Sequence, residues 1–293
     1  MEWKNHPIEA LLDRALQEDI ATGDATTLLT IDPALQATAT ILARQDMTVA
    51  GLGCIPAFLD RFAVLHPASA ARYEVISHPE IFDGVAVRSG QPLAVIRHRA
   101  QALLSCERVI LNLLQHLSGI ATLTRQYADA IAGTSARVLD TRKTIAGLRM
   151  LEKYAVVCGG GTNHRLDLSD GILIKNNHIA LGGGIRNVLA RSLVARPVGK
   201  RVQIEVRSMS ELVEALSAGA EAILLDNMEP PQVAACVQRI RKEDRWIPTE
   251  ASGGIVLQNI RAYAETGVDF ISVGALTHSA PSADISMRIV AAN

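Results

Sequence analysis

Apolar positions recur with a helical period over residues 6–19, where Ile8, Leu11, Leu12, Ala15 and Leu16 share one face. The stretch Glu18 to Asp24 ends that run. From Thr38 to Leu59 the pattern shifts to short β-type runs, with Gly51 and Gly53 marking a turn and residues 55–64 reading as helix. Residues 73–76, 85–87 and 93–96 read as strands set apart by Gly84, Gly90 and Pro92. Residues 103–130 form one long apolar helical stretch, with a break expected near Gly119. After Arg137 strands and helices alternate. Strands are expected at 138–139, 172–174, 202–206, 222–225, 247–250 and 270–273, and helices at 185–195, 210–218, 231–242 and 257–266.

Grouped elements followed by regular alternation predict two domains. Residues 1–115 read as an α+β domain and 116–282 as a β/α barrel, open or incomplete because only about six or seven units fit. A doubly wound open sheet is the alternative, but no Gly-x-Gly-x-x-Gly follows a first strand. Residues 283–293 read as a strand that leaves the barrel and packs with the first domain.

Composition narrows the function. The chain has 293 residues, 48% of them hydrophobic and 20% charged, which suits a globular protein with a sizeable core. Aromatic residues make up only 3%, and the net charge is −1, so neither stacking platforms nor a large phosphate-backbone footprint for nucleic acid is expected. No apolar run is long enough for a membrane span. The amphipathic N-terminus lacks the apolar core of a signal peptide. Four cysteines without Cys-x-x-Cys spacing suit free thiols in a cytoplasmic setting.

The chemistry gathers at strand ends. Asp140-Thr141-Arg142-Lys143 follows the first barrel strand and Lys175 the second. Glu205 lies inside VQIEV, and Asp226 follows AILL. Ser252-Gly253-Gly254 follows the fifth strand, and Val273-Gly274-Ala275 closes the sixth. Glycine lets backbone N–H groups approach an anion, and the last two strand–helix loops of a barrel often hold phosphate. Cations concentrate between Arg137 and His178. Together these features predict a small, strongly anionic ligand held between a cationic wall, a phosphate cradle and two carboxylates. Bland alternatives are an Arg142–Asp140 surface pair, a backbone-bonded His164, and carboxylates that merely cap the next helices. A Schiff-base role for Lys175 is a competing chemistry.

The segments DTRKT, EKYAVVCGGGTNHR, LIKNNHI, IEV, LLDNM, ASGGI and AETGVDFISVGALTHS resemble the quinolinate phosphoribosyltransferase (nicotinate-nucleotide pyrophosphorylase) family. So do EDIATGDATT and ERVILNLLQHLSGIAT, and the resemblance covers nearly the whole chain. It implies an N-terminal α/β sandwich joined to an open α/β barrel, in a homodimer whose sites are shared between subunits. The implied reaction moves phosphoribosyl from phosphoribosyl pyrophosphate to quinolinate, giving nicotinate mononucleotide, CO2 and pyrophosphate in NAD biosynthesis, with Mg2+. Nucleic acid and membrane are not implied partners.

By the same resemblance Arg142 and Lys143, with Thr141, hold the quinolinate carboxylates. Arg165 and His164 supply the second grip. Lys175 touches donor and acceptor. Glu205 and Asp226 contact the ribose and the metal shell, through water or substrate. Ser252, Gly253, Gly254, Val273, Gly274 and Ala275 cradle phosphate. Arg108, in the long helix, reaches the neighbouring subunit's site. Lys143, Lys175, Glu205 and Asp226 are the implied catalytic set. Two positions depart from the family pattern, where acidic residues are usual: Asn176 directly after Lys175, and Arg207 two positions after Glu205. Other acceptors remain open, as in a paralogous phosphoribosyltransferase of the molybdenum-transport-associated type. So does a non-catalytic sensor of anionic metabolites.

Overall fold

The computed structural model describes residues 1–67, 71–243 and 246–292. Residue 293, the last of the expected tail, lies outside them. The chain forms two compact units. The first comprises residues 1–123, 150–160 and 280–293, and the second 124–149 and 161–279.

In the first unit α1 (His6–Ile20) starts where the Asn5 side chain accepts the Ile8 N–H at 3.0 Å, with a proline in its first turn. It buries Ile8, Leu12, Leu16 and Ile20. A short α2 (Ala25–Thr30), not apparent in the apolar pattern, is capped by Asp24, whose carboxylate takes the Thr27 N–H. Then follow β1 (Gln36–Ala43), β2 (Met47–Thr48), α3 (Cys54–Leu65), β3 (Glu74–Ile76), β4 (Ala86–Val87), β5 (Pro92–Arg99) and α4 (Ala100–Ala130). α4 runs unbroken through Gly119. A Cβ there would collide with the Pro281 carbonyl oxygen, so this glycine serves close packing of the tail, not a break. Gln115 holds the tail from the same helix, donating from Nε2 to the Ile285 carbonyl at 2.7 Å.

The second unit carries β6 (Arg137–Leu139); α5 (Arg149–Cys158) follows in sequence but packs with the first unit. Next come β7 (Ile172–Ile174), α6 (Asn176–Leu181), α7 (Ile185–Ala195), β8 (Val202–Val206), α8 (Met209–Ser217), β9 (Ala222–Asp226), α9 (Pro230–Ile240), β10 (Thr249–Ser252), α10 (Ile260–Ala264), β11 (Phe270–Ser272) and α11 (Ala275–His278). The chain ends with β12 (Ile285–Ala291), which pairs antiparallel with β1 in the sheet β12-β1-β5-β3. β2 and β4 form a separate pair.

The parallel sheet of the second unit runs β7-β8-β9-β10-β11-β6. Its first strand in sequence thus closes against its last, while β6 and β7 are not paired. The barrel is open at that seam, where an isolated bridge joins Leu139 to Thr162. β10 begins at Thr249, two residues later than the sequence suggested, and so extends to Ser252.

Register fixes what faces inward. Glu205, Leu224, Glu250 and Phe270 lie level across four strands, and Asp226, Ser252, Ser272 and Leu139 form the next level up. Alternate residues share a face, so Gln203 and Glu205, Leu224 and Asp226, Glu250 and Ser252 all point into one interior.

Candidate active site

A cavity of about 660 Å³ opens at the carboxyl ends of these strands. Thr141, Arg142, Lys143, His164, Arg165, Lys175, Glu205, Asp226, Ser252, Gly253, Gly254, Gly274 and Ala275 all line it. The convergence expected from six strand ends is therefore present in one place.

One wall is cationic. Arg142, Lys143, Arg165 and Lys175 make no ion pair with a carboxylate within 4.0 Å among the described residues. The buried Nε of Arg142 has no hydrogen-bond partner among the described residues. Arg165 anchors through Nη1 to the Gly171 carbonyl at 2.8 Å. Burial lowers its pKa, and the charge of Arg142 lowers it further. Two guanidiniums that repel each other in a partly desolvated wall call for an anion of matching charge.

The opposite wall is acidic. Glu205 is 8% exposed. Burial pushes its carboxyl above the ordinary range and Asp226 adds to this; the Asn176 N–H, Lys175 and Arg207 pull the other way. Neither carboxylate caps the helix that follows its own strand. Ser208 caps α8, accepting the Glu211 N–H at 3.1 Å, and Glu229 caps α9. Asp226 instead accepts from Asn227 Nδ2 at 2.8 Å.

The floor is a polar knot. Glu250, 3% exposed, accepts from Gln203 Nε2 at 2.7 Å and lies 3.2 Å from His164 Nε2. Burial alone would raise its pKa, but hydrogen bonds from His164, Gln203 and Ser272 hold it below the usual glutamate range. His164 also donates its backbone N–H to Asp140 at 2.8 Å.

The glycines shape the remaining rim. Gly253 has φ +98°, and a Cβ there would lie 2.9 Å from the Asn227 nitrogen and 2.6 Å from its Cγ. At Gly274 a Cβ would stand 3.0 Å from Lys143 Cδ, so the loop after β11 lies directly on the cationic wall. Thr277 reinforces this contact, donating from Oγ1 to the Lys143 carbonyl at 2.7 Å.

The family models for the N-terminal and C-terminal domains of quinolinate phosphoribosyl transferase match residues 24–118 and 120–288. The chain belongs to the quinolinate phosphoribosyltransferase family. It is 42% identical to the nicotinate-nucleotide pyrophosphorylase of Mycobacterium leprae over 278 residues, covering 94% of this chain and 95% of that one. Identity to a probable nicotinate-nucleotide pyrophosphorylase of Bacillus subtilis is 41% over 290 residues, or 99% and 96% of the two chains. The crystal structure of NadC from Streptococcus pyogenes superposes with a TM-score of 0.90 at 36% identity, covering 100% of each chain.

Two residues that the family pattern suggested stand elsewhere. Val273 is 1% exposed and spends its N–H on the Leu139 carbonyl at 3.0 Å; its neighbours Ser272 and Gly274 line the cavity instead. Arg108 is exposed on α4 in the first unit and is not among the lining residues. The sequence reading missed Glu250, Asn227, Ser272 and His278. Glu250 was discoverable: it is an acid inside a strand, two residues before Ser252, hence on the same face.

Proposed function

We propose that this quinolinate phosphoribosyltransferase family member transfers phosphoribosyl from phosphoribosyl pyrophosphate to the ring nitrogen of quinolinate, with loss of CO2. The observation that carries the reading is one cavity lined by Arg142, Lys143, Arg165 and Lys175, by two carboxylates and by a glycine cradle, with the buried Arg142 Nε unpartnered among the described residues. Arg142, Arg165 and Lys143 suit the two ring carboxylates, because guanidinium forks bind carboxylates bidentately. Lys175 stands between diacid and sugar. The Ser252–Gly254 and Gly274–Ala275 loops suit the donor's phosphates.

As the C1–pyrophosphate bond breaks, positive charge develops on the ribose. Glu205 and Asp226 supply fixed negative charge beside it. The nitrogen lone pair forms the new C–N bond, and the quaternised ring then accepts the electron pair released as the adjacent carboxylate departs as CO2. The resulting carbanion takes a proton. The protein's part in that second step is orientation and exclusion of water.

The donor set fits Mg2+. Two hard carboxylates stand close enough for Asp226 to raise the Glu205 pKa. No group of three potential ligands occurs among the described residues, which suits an ion carried mainly by substrate phosphate oxygens. Glu205 and Asp226 would hold it, directly or through water. Bound Mg2+ would neutralise charge on the departing pyrophosphate.

Quinolinate, phosphoribosyl pyrophosphate and Mg2+ incubated with the protein should yield nicotinate mononucleotide and CO2. Turnover of nicotinate in preference to quinolinate would overturn the reading in favour of another acceptor, and tight binding without turnover would favour a sensor.

Gly253→Ala should raise KM for the phosphoribosyl donor at least tenfold, with a smaller effect on quinolinate. It forces a Cβ into a left-handed φ, costing about 1–2 kcal/mol, and against Asn227. Melting should show a fall of about 3 °C or more; an unchanged donor KM would remove the cradle from the phosphate site.

A homodimer with Arg108 completing the partner's site is part of the same proposal. Mixing inactive Arg108→Ala and Lys143→Ala subunits should restore activity in heterodimers. No recovery after verified subunit exchange would remove it. A cytoplasmic setting also belongs to this reading, supported by the four free cysteines. No helix among the described residues is long and apolar enough to cross a membrane.

A further inference from the structure

Beneath the active-site cavity lies a second one of about 300 Å³, lined by Leu139, Thr162, Gln203, Pro248 and Phe270 among others. His164 and Glu250 line both. They form the partition between the site and the barrel's lower interior.

The hydrogen bonds at this partition run in one direction. His164 Nδ1 accepts the Arg165 backbone N–H at 2.7 Å. A nitrogen that accepts carries no proton, so the proton of the neutral ring sits on Nε2, 3.2 Å from a Glu250 oxygen. Both ring nitrogens are thereby engaged within the protein. This changes the role the family pattern suggested for His164, since a ring fixed in this way has no nitrogen left to grip a ligand carboxylate. It has a different use. The Arg165 N–H it holds sits where the chain turns to send the Arg165 guanidinium into the cavity, braced on Gly171. Asp140 holds the same turn from the other side through the His164 N–H.

We infer that Glu250 is a positioning residue: from the barrel interior it fixes His164 in its Nε2–H form, and through the His164–Arg165 turn it aims the guanidinium that grips the acceptor. This extends the function proposed above, since it takes the acceptor to be the diacid. Glu250 is suited to the task because its position is over-determined. It is buried, and Gln203 Nε2 donates to it at 2.7 Å in addition to the His164 contact. A buried carboxylate held from two sides has little freedom to move, and neither does the ring that leans on it.

The test uses the full-length protein with 15N-labelled histidine, the His164 signal being assigned by its loss in His164→Gln. Long-range 15N–1H correlations should show His164 with a bare Nδ1 and a protonated Nε2. Glu250→Met, which removes the acceptor, should abolish that preference and raise quinolinate KM tenfold or more, with the phosphoribosyl donor KM within twofold. Glu250→Gln keeps an oxygen acceptor and should retain both the tautomer and most of the affinity. In a His164→Gln background Glu250→Met should add less than twofold, because a residue acting through another has nothing left to lose. A protonated Nδ1 in the parent protein overturns the inference even if Glu250→Met fails to fold. So does an undiminished effect of Glu250→Met without His164, or an equal rise in both KM values. The tautomer readout needs no turnover, so an inactive parent protein would count against the proposed reaction and leave this inference to be judged on the spectrum.

Discussion

Replacing Glu205 by glutamine is expected to lower kcat by about 10²–10³-fold, the range seen when one preorganised electrostatic group is lost. The quinolinate dissociation constant should stay within about threefold. The asymmetry follows from placement. Glu205 belongs to the acidic wall and not to the arginine wall that suits the diacid, and its charge matters only once the sugar becomes positive. Single-turnover rates with calorimetric binding separate the two quantities. Equal losses in both would show that Glu205 shapes the acceptor pocket instead.

The same substitution should act on stability with the opposite sign. In the ligand-free, Mg2+-free protein, burial and Asp226 raise the Glu205 pKa above its unfolded value. The folded state then binds the proton more tightly than the unfolded chain does. That contribution is fully present below the unfolded pKa, near 4.3, and is lost as pH rises through the folded pKa. At neutral pH the ionised carboxylate therefore costs stability. Glu205→Gln, which cannot ionise, should melt at or above the temperature of the parent at pH 7 and lose that advantage toward pH 4. Destabilisation at pH 7 would mean that the bonds to Asn176 and the pull of Lys175 outweigh the repulsion.

Much of this was legible before any coordinates. β7 and β8 follow the runs at 172–174 and 202–206 residue for residue: Ile172-Leu173-Ile174 is apolar throughout, as a strand covered on both faces is, and 202–206 alternates, with Gln203 and Glu205 on the interior face. The strand-end residues met in one cavity because parallel strands place all their carboxyl ends on one side. What stayed hidden has physical causes. Glu250 falls inside the strand expected at 247–250, but the shift of that strand to Thr249–Ser252, which sets Glu250 level with Leu224 and Phe270, emerges only from pairing with β9 and β11. The commitment of both His164 nitrogens depends on Glu250 and on a backbone N–H, neither of which spacing can reveal. α5 continues the β/α alternation in sequence yet packs in the first unit, burying Glu152 against His116 at 2.9 Å. Gly119 reads as a breaker but is there to admit the tail, 162 residues on at Pro281. Local pattern records local preference, whereas these features are set by partners distant in sequence.

The second large effect is expected at Arg142. Arg142→Met should weaken quinolinate binding by roughly 100-fold or more, corresponding to about 3 kcal/mol for a desolvated, charge-assisted contact. Nicotinate, with one carboxylate, should lose much less, so the ratio of the two affinities should collapse toward one. Arg142 is singled out because its buried Nε has no partner among the described residues, so the cost of desolvating that donor is recovered only when a ligand supplies an acceptor. Its charge also depresses the Arg165 pKa, which marks the two guanidiniums as mutually repulsive until a dianion enters between them. Removing one should therefore relieve the other. Arg142→Met is expected to match or exceed the parent's melting temperature without ligand, and to show a smaller thermal shift on adding quinolinate. Methionine keeps most of the length and apolar bulk of the stem, so lost packing does not confuse the comparison. Calorimetry with both pyridine acids decides the matter: if quinolinate and nicotinate weaken by the same factor, Arg142 serves the pocket as a whole, and discrimination of the second carboxylate must be sought at Arg165.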